Sequence, residues 1–347
     1  MIPVWPSIEV HHWVSNASAS LLWEGATRVP ISIASPLRQK YASYINSPRS
    51  AWFDYLAHEC RHMPLGALSI RLLGKLSYYL GIDKTVFIGN YPISTSIWST
   101  EQENEIPCIA SNMINAHPTY FAGIRNILPH RHKILIERLE VLGFRGIPAR
   151  VIYEFDFRSE QTQVPSHLKR DLGLLKKLAV KVEICATLDL ESLNQIHQLY
   201  KKIYLEKHSL LNPQYTIKFF DDVINQKLMS CLLITNTEGK ILSFGLLCRS
   251  GETITVPALG YDPENSLEGS YRVLFAAIYT YAKHHQVLLN YSSGAGDFKR
   301  NRGGIPHLEY TYLKSPLTKS YFRKGILELV ANKLKKIDAK TLIKLGA

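Results

Sequence analysis

The chain has 347 residues, 46% of them hydrophobic and 20% charged, and carries a net charge of +12. That is a globular composition, rich enough to fill a core and long enough for two domains of ordinary size. No apolar run reaches the roughly 20 residues of a membrane span, and Met1 to Trp13 lacks the basic start and apolar stretch of a secretory signal. Five dispersed cysteines (Cys60, Cys108, Cys185, Cys231, Cys248) form no CxxC pair, which points to free thiols in a reducing cytoplasm. The positive charge is uneven. From Lys314 to Ala347 there are nine Lys or Arg residues against Glu328 and Asp338. A basic surplus implies anionic partners such as phosphates, nucleic acid, an acidic protein or an anionic lipid surface.

In chain order, the first eighty residues are expected to be mainly helical, with a short polar helix over Pro36 to Ile45 and helical apolar spacing over Ala51 to Tyr79. Thr85 to Gly89 reads as a buried strand ending in the turn Gly89-Asn90-Tyr91-Pro92, and Tyr120 to Ile124 as a second strand. Arg131 to Leu142 is an amphipathic helix with Ile134, Leu135, Leu139 and Leu142 on one face, stopped by Gly143. Ala149 to Phe157 is another strand. Gln161 to Pro165 is a polar surface link, followed by a basic helix over Leu168 to Leu178 and a strand near Val180 to Cys185.

The second half is expected to run as helices from Leu190 to Leu205 and from Thr216, then strands over Met229–Thr235, Ile241–Cys248 and Thr253–Leu259. A helix over Tyr271–His284 and strands over Val287–Tyr291 and Pro306–Leu313 follow. This is a mixed α/β sheet rather than a doubly wound one. From Ser320 onward, Phe322, Ile326, Leu329, Val330, Leu334 and Ile337 recur at helical spacing among lysines, giving a basic amphipathic tail helix. It either docks its apolar stripe on the second lobe or also offers its charged face to an acidic partner. The boundaries are placed at 1–165 for the first lobe, 166–319 for the second and 320–347 for the tail.

Three stretches are site-like. Ser292 to Gly304 is glycine-rich, follows a strand and holds Ser293, Lys299, Arg300 and Arg302. It is either a phosphate cradle or a solvated basic loop, and it is neither a Walker A loop nor a dinucleotide fingerprint. Ala258 to Pro263, with Leu259, Gly260, Tyr261 and Asp262, ends a strand ahead of the helix carrying Tyr271 and Arg272. Gly260 would let a ligand approach the backbone, or it is an ordinary turn glycine. Tyr204 to Ser209, with Lys207, His208 and Asn212, ends a helix and either lines a cleft or caps it. The paired histidines His11-His12, His130 with His132 and His284-His285 lack the carboxylate or cysteine partners of a zinc set, so no metal is expected. No Gly-x-Ser-x-Gly elbow is present.

Tyr204 through Pro213, Pro257 through Asp262, Tyr271-Arg272, Ser292 through Gly304 and Glu309-Tyr310 together resemble the tandem GNAT-like acyltransferases related to FemAB-type and BioF2-like enzymes. In the first half Gly89-Asn90, Ile124-Arg-Asn126 and Gly143 through Tyr153 add to the likeness. The resemblance implies two GNAT-like lobes, each a mixed, mostly antiparallel sheet flanked by helices, with the acyl donor in the second. It implies an acyl-CoA or acyl carrier protein thioester as donor and an amine-bearing small molecule or peptide as acceptor. Known members include enzymes that fatty-acylate lysine or ornithine side chains of peptides. The usual pyrophosphate loop is absent before Tyr271, which leaves coenzyme A and a carrier protein both open as donor.

Direct attack of an amine on a thioester needs a proton acceptor, an oxyanion site and a proton donor for the thiolate. Leu259 and Gly260 are candidates for backbone donors to the carbonyl, with Tyr271, Arg272, Lys299, Arg300 and Arg302 around the donor. Tyr204, Lys207, Ser209, Asn212, Tyr261, Asp262 and Ser293 are candidates for the acceptor side. Glu309 is the candidate base or orienting partner of the amine. Strand alternation puts Tyr310 on the opposite face, so only one of the two can meet the cleft. The rivals are an aminoacyl-tRNA-dependent FemAB-type transferase, against which no sustained heptad run is found, and a nucleic-acid binder, against which no recognised motif is present.

Overall fold

The computed structural model describes residues 6–35, 41–59, 64–159, 164–263 and 269–318. The basic tail helix, the first half of the proposed Pro36–Ile45 helix and most of the surface link lie outside them. Tyr41 to Ile45 is not helical. The chain opens on strands rather than helices: β1 (Ile8–Glu9), β2 (Ala19–Glu24) and β3 (Val29–Ala34), the last two forming an antiparallel hairpin. Val29, Ile31 and Ile33 repeat with period two, the strand signal that the helical reading overlooked.

The first half continues through α1 (Tyr55–Glu59), α2 (Pro64–Tyr79), β4 (Thr85–Ile88), α3 (Thr100–Ala116), β5 (Phe121–Ile127), α4 (Lys133–Val141) and β6 (Arg145–Asp156). Helix α3 was not anticipated. Its start is fixed by a capping box in which the Ser99 hydroxyl accepts the Gln102 N–H and the Gln102 side chain accepts the Ser99 N–H. On α4, Leu135 and Leu139 are buried but Ile134 is 65% exposed, so the buried face is narrower than expected.

The second half runs α5 (Ser166–Lys177), β7 (Lys181–Cys185), α6 (Leu190–Lys201), a π-helical extension over Lys202–His208, α7 (Ile217–Asn225), β8 (Ser230–Thr235), β9 (Ile241–Ser250), β10 (Thr253–Thr255), β11 (Leu259–Tyr261), α8 (Ser270–His284), β12 (Leu288–Asn290), α9 (Gly296–Arg300) and β13 (Ile305–Lys314).

One sheet carries the order β1-β2-β3-β4-β5-β13-β6-β12-β10-β9-β8-β7, with β11 also paired to β9. The two halves repeat each other. In each, four antiparallel strands lead to a parallel pair, β4 with β5 and β10 with β12. A helix, α3 or α8, joins the parallel strands. A short helix, α4 or α9, then leads to the central antiparallel strands β6 and β13. Strand β13, from the end of the chain, lies between β5 and β6, while β6 pairs with β12. This is a tandem mixed sheet with flanking helices, as the sequence indicates. Among the described residues, no helix is long and apolar enough to cross a membrane. Cys108, Cys185, Cys231 and Cys248 are free thiols.

Gly260 is dictated by packing rather than by a ligand. A Cβ there would lie 2.5 Å from the Phe244 ring and 2.7 Å from the backbone of Leu199 on α6. Backbone cannot yield as a side chain can, so Gly260→Ala is expected to cost about 1–3 kcal/mol by overpacking. A lowered urea midpoint at unchanged m-value would show it, and an unchanged midpoint would refute it.

Candidate functional site

Parallel strands β10 and β12 stay paired through Thr255 and Asn290 and then part. Beyond that point, β11 follows β9 while the chain after β12 turns away through Tyr291, Ser292 and Ser293. The result is a splay in the second half, and its two sides differ in chemistry. The Leu246 N–H bonds to the Ala258 carbonyl, and Leu259 faces Gly245 at the next register position. In an antiparallel ladder the intervening residue points its N–H and C=O away from its partner. Leu259 therefore presents its backbone to the splay, whereas Gly260 turns back towards β9.

Phenols line the space. Tyr204, on the π-helical turn, lies near the backbone of Leu259, and burial pushes its pKa well up, with Tyr44, Tyr271 and Tyr55 close by. Tyr271 is pushed up by burial as well, with Tyr291 and Tyr261 as neighbours. Tyr291 is 3% exposed, and its hydroxyl lacks a hydrogen bond of good geometry among the described residues. At the mouth, the Tyr261 and Tyr271 rings are 5.7 Å apart, Lys207 lies 5.8 Å from the Tyr261 ring, and Lys202 pairs with Asp262 at 2.7 Å.

The same row of phenols runs on to the central strands. Tyr44 borders Arg150, Arg125 and Glu309, and its pKa is raised chiefly by burial. Arg150 on β6 donates to the Glu309 carboxylate at 2.8 and 3.4 Å, to the Ser94 carbonyl at 2.9 Å and to the Thr95 hydroxyl at 2.8 Å. Glu309 is 2% exposed. With Arg150 spanning both oxygens, its place is inside the structure as the partner of a buried cation, not as a carboxylate open to an amine. Tyr310 packs against a core cluster drawn from both halves, beyond a register shift that separates it from Glu309.

The corresponding splay in the first half is filled. Arg125 donates to Asn90 Oδ1 at 2.8 Å and to the Ile45 carbonyl at 3.0 Å, and Asn126 Oδ1 accepts the Ser96 N–H at 2.9 Å. Trp98 Nε1 closes onto the Gly89 carbonyl at 2.7 Å.

The glycine-rich stretch is mostly internal scaffolding. Lys299 is buried, and its ammonium donates to the carbonyls of Tyr291, Ser292 and Ser293 at 2.8, 3.2 and 2.8 Å. Arg302 is buried too, paired with Asp171 and stacked on Phe298. Neither is available to a phosphate, which corrects that expectation. Arg300 bonds the Tyr153 hydroxyl at 2.6 Å and also pairs with Asp297, and Arg272 pairs with Asp171 at 2.7 Å. Both keep part of their surface open.

Asn212 and Ser209 also serve the fold. The Asn212 amide donates to the carbonyls of Tyr204 and Ser209, and the Ser209 N–H bonds to the Tyr204 carbonyl, tying off the π-helical turn. Ser209 borders a groove of about 1270 Å³ that is also lined by Ser43, Asn46, Arg49, Arg71, Lys75 and Leu205. Ser43 and Leu205, which line the groove, are the chain neighbours of Tyr44 and Tyr204.

The sequence reading did not single out Arg150 or the phenols Tyr44 and Tyr291. A signal existed for Arg150, an arginine within the otherwise apolar strand Ala149-Arg-Val-Ile152.

The histidines pair differently from the sequence reading. His130 does not join His132; it meets Glu154 at 2.9 Å and stacks on His307 with ring centroids 3.8 Å apart. His132 turns inward, where its Nδ1 accepts the Leu128 N–H at 2.9 Å. Burial, with Arg131 adding to it, pushes the His132 pKa down to about 3. The unfolded chain takes up this proton near pH 6.5, roughly the ordinary histidine value. Stability from this residue is therefore full above that pH and is lost as pH falls towards the folded value. His132→Asn, whose Oδ1 can replace Nδ1, is expected to flatten unfolding free energy against pH between about 6 and 4, by up to about 1.4 kcal/mol per pH unit. Urea denaturation across that range checks it, and an unaltered slope would refute it.

No protein-family model matches the chain, and no curated protein matches it. Solved structures do. L-PGS from Bacillus licheniformis is similar over 92% of this chain and 90% of its own, at 11% identity and a TM-score of 0.55. FemX is similar over 67% of this chain and 79% of its own, at 13% identity and a TM-score of 0.48. A tandem GNAT protein from the clavulanic acid biosynthesis pathway is similar over 66% and 74%, at 9% identity and a TM-score of 0.40. At these identities the likeness is one of architecture: the chain has the fold of L-PGS from Bacillus licheniformis.

Proposed function

We propose that this chain is an N-acyltransferase that moves an acyl group from an acyl-CoA or acyl carrier protein thioester to an amine of an amino acid or peptide. The observation that carries this reading is the parting of β11 from the chain after β12, with the phenols Tyr204, Tyr271 and Tyr291 grouped around it. The thioester lies in that splay with its carbonyl near the Leu259 backbone. Lys207, Arg272 and the start of α8 face the donor's phosphates. The amine approaches along the basic groove beside Tyr44.

The chemistry follows from the hydroxyl of Tyr204. It lies beside the Leu259 backbone, where its proton can be given to a group in the splay. As a phenol it is protonated at neutral pH, and burial, which raises its pKa, makes it a weaker acid than a solvated tyrosine. The neutral amine attacks the carbonyl carbon, a C–N bond forms, and the C–S bond breaks. Tyr204 protonates the departing thiolate. The surplus proton on nitrogen returns through water to the phenolate, so the products are an amide and a thiol. Arg150 and Glu309 act as positioning residues, fixing the Ser94–Thr95 turn and Tyr44.

The test is to incubate the full chain with a panel of acyl-CoA and acyl carrier protein donors and with lysine, ornithine and lysine-bearing peptides. Thiol release and intact mass are read together. Free thiol with a matching mass increase on the amine is expected. Amide formation from aminoacyl-tRNA alone, with no thiol released from any thioester, would replace this reading by the aminoacyl-transfer one.

A further inference from the structure

Outside the splay, the described residues bring together one cluster of two imidazoles and a carboxylate. Glu154 on β6 and His307 on β13 are diagonal neighbours on the same face of the central strand pair, His307 opposing Ile152 and Glu154 opposing Ile305. His130 joins them from the turn after β5. The Nε2 atoms of His130 and His307 lie 2.9 and 3.6 Å from the same Glu154 oxygen, Oε2. Arg131 approaches the other oxygen, Oε1, at 3.4 Å. A distance of 3.6 Å is too long for a hydrogen bond. Bonding to Glu154 thus explains the place of His130 but not the approach of His307.

We propose that His130, Glu154 and His307 form a binding site for a single divalent transition-metal ion. Their three ligand atoms lie within 4.8 Å of one another. Ligands at about 2.0–2.2 Å from a metal sit roughly 3–3.5 Å apart, so binding requires a closure of little more than an ångström. Binding must also part the His130–His307 stack so that each ring turns its Nε2 to one point, and the two side chains, 37% and 25% exposed, have room on their solvent side to do so. That exposure also leaves room for water to complete the coordination. Two imidazoles and a carboxylate suit zinc, iron or cobalt better than calcium or magnesium.

Two of the ligands are also biased towards the form that binds a cation. Burial works against the Glu154 carboxylate, but the His130 hydrogen bond and the Arg131 charge outweigh it and hold its pKa down. Burial and the neighbouring His130 hold His307 towards its neutral form. Arg131 opposes a cation, but it faces the oxygen the metal does not use. The site is separate from the Arg150–Glu309 pair, about 13 Å along β6 at the usual strand rise, and does not depend on the acyltransferase reading.

The test titrates the metal-free full chain with Co²⁺, following the visible ligand-field absorption, with Zn²⁺ as competitor. A background carrying His11→Ala, His12→Ala, His284→Ala and His285→Ala removes the paired histidines elsewhere. In that background one equivalent of Co²⁺ is expected to bind and to be displaced by Zn²⁺. Altering outer partners of a metal ligand costs about 10–100-fold in affinity, so His130→Ala or His307→Ala should weaken binding by at least about 100-fold. Glu154→Gln should do the same, and circular dichroism without metal checks that each variant is folded. Absence of saturable binding, or binding unchanged in the folded His130→Ala variant, would overturn the proposal.

Discussion

Tyr204→Phe is expected to lower the acyl-transfer rate by about 10²- to 10⁴-fold, the usual contribution of a positioned proton donor, while leaving donor affinity nearly unchanged. The ring keeps its packing, including the stack on Tyr200 at 4.5 Å. Only the hydroxyl between the Leu259 backbone and the splay is lost. Loss of the hydroxyl alone should cost no more than about 1 kcal/mol of stability, which a urea curve separates from the catalytic effect. Single-turnover measurements with a saturating amine isolate the chemical step. The role predicts a further signature: donors with better thiolate leaving groups should restore much of the lost rate. A variant that keeps the full rate with free acyl-CoA would remove Tyr204 from the mechanism.

Glu309→Gln is expected to destabilise the protein by about 3–5 kcal/mol, the cost of stranding one member of a buried ion pair. Arg150 would keep its bonds to Ser94 and Thr95 but lose the carboxylate that balances its charge. The double variant Arg150→Met/Glu309→Leu should recover most of that loss, because neither charge then has to be desolvated. Denaturant curves for both singles and the double give the coupling directly. If Glu309→Gln instead stays within the roughly 0.5 kcal/mol of an ordinary surface change and activity falls more than about 100-fold, Glu309 is the base and not an anchor.

Much of the second half is legible from local patterning alone. The alternating runs over β8 and β9 and the apolar helix α8 carry their own period, and each is stabilised by neighbours close in sequence. The class of fold followed from that order together with the resemblance. The first half was harder to read. The β2–β3 hairpin is short, and α3 declares itself through the capping box at Ser99 and Gln102 more than through a strong apolar stripe.

Only the tertiary structure decided which polar residues face a cleft. Lys299, Arg302 and Asn212 look like ligands in the sequence because they are charged or polar and lie near glycines. In the fold their groups satisfy backbone carbonyls and one buried aspartate. A buried polar group must find a partner, and the identity of that partner is a long-range fact. The insertion of β13 beside β6 sets 159 residues between Arg150 and its carboxylate, and the same pairing brings His307 to Glu154. Local periodicity carries no information about such a crossing, because strand order is fixed by how the two halves share their central strands.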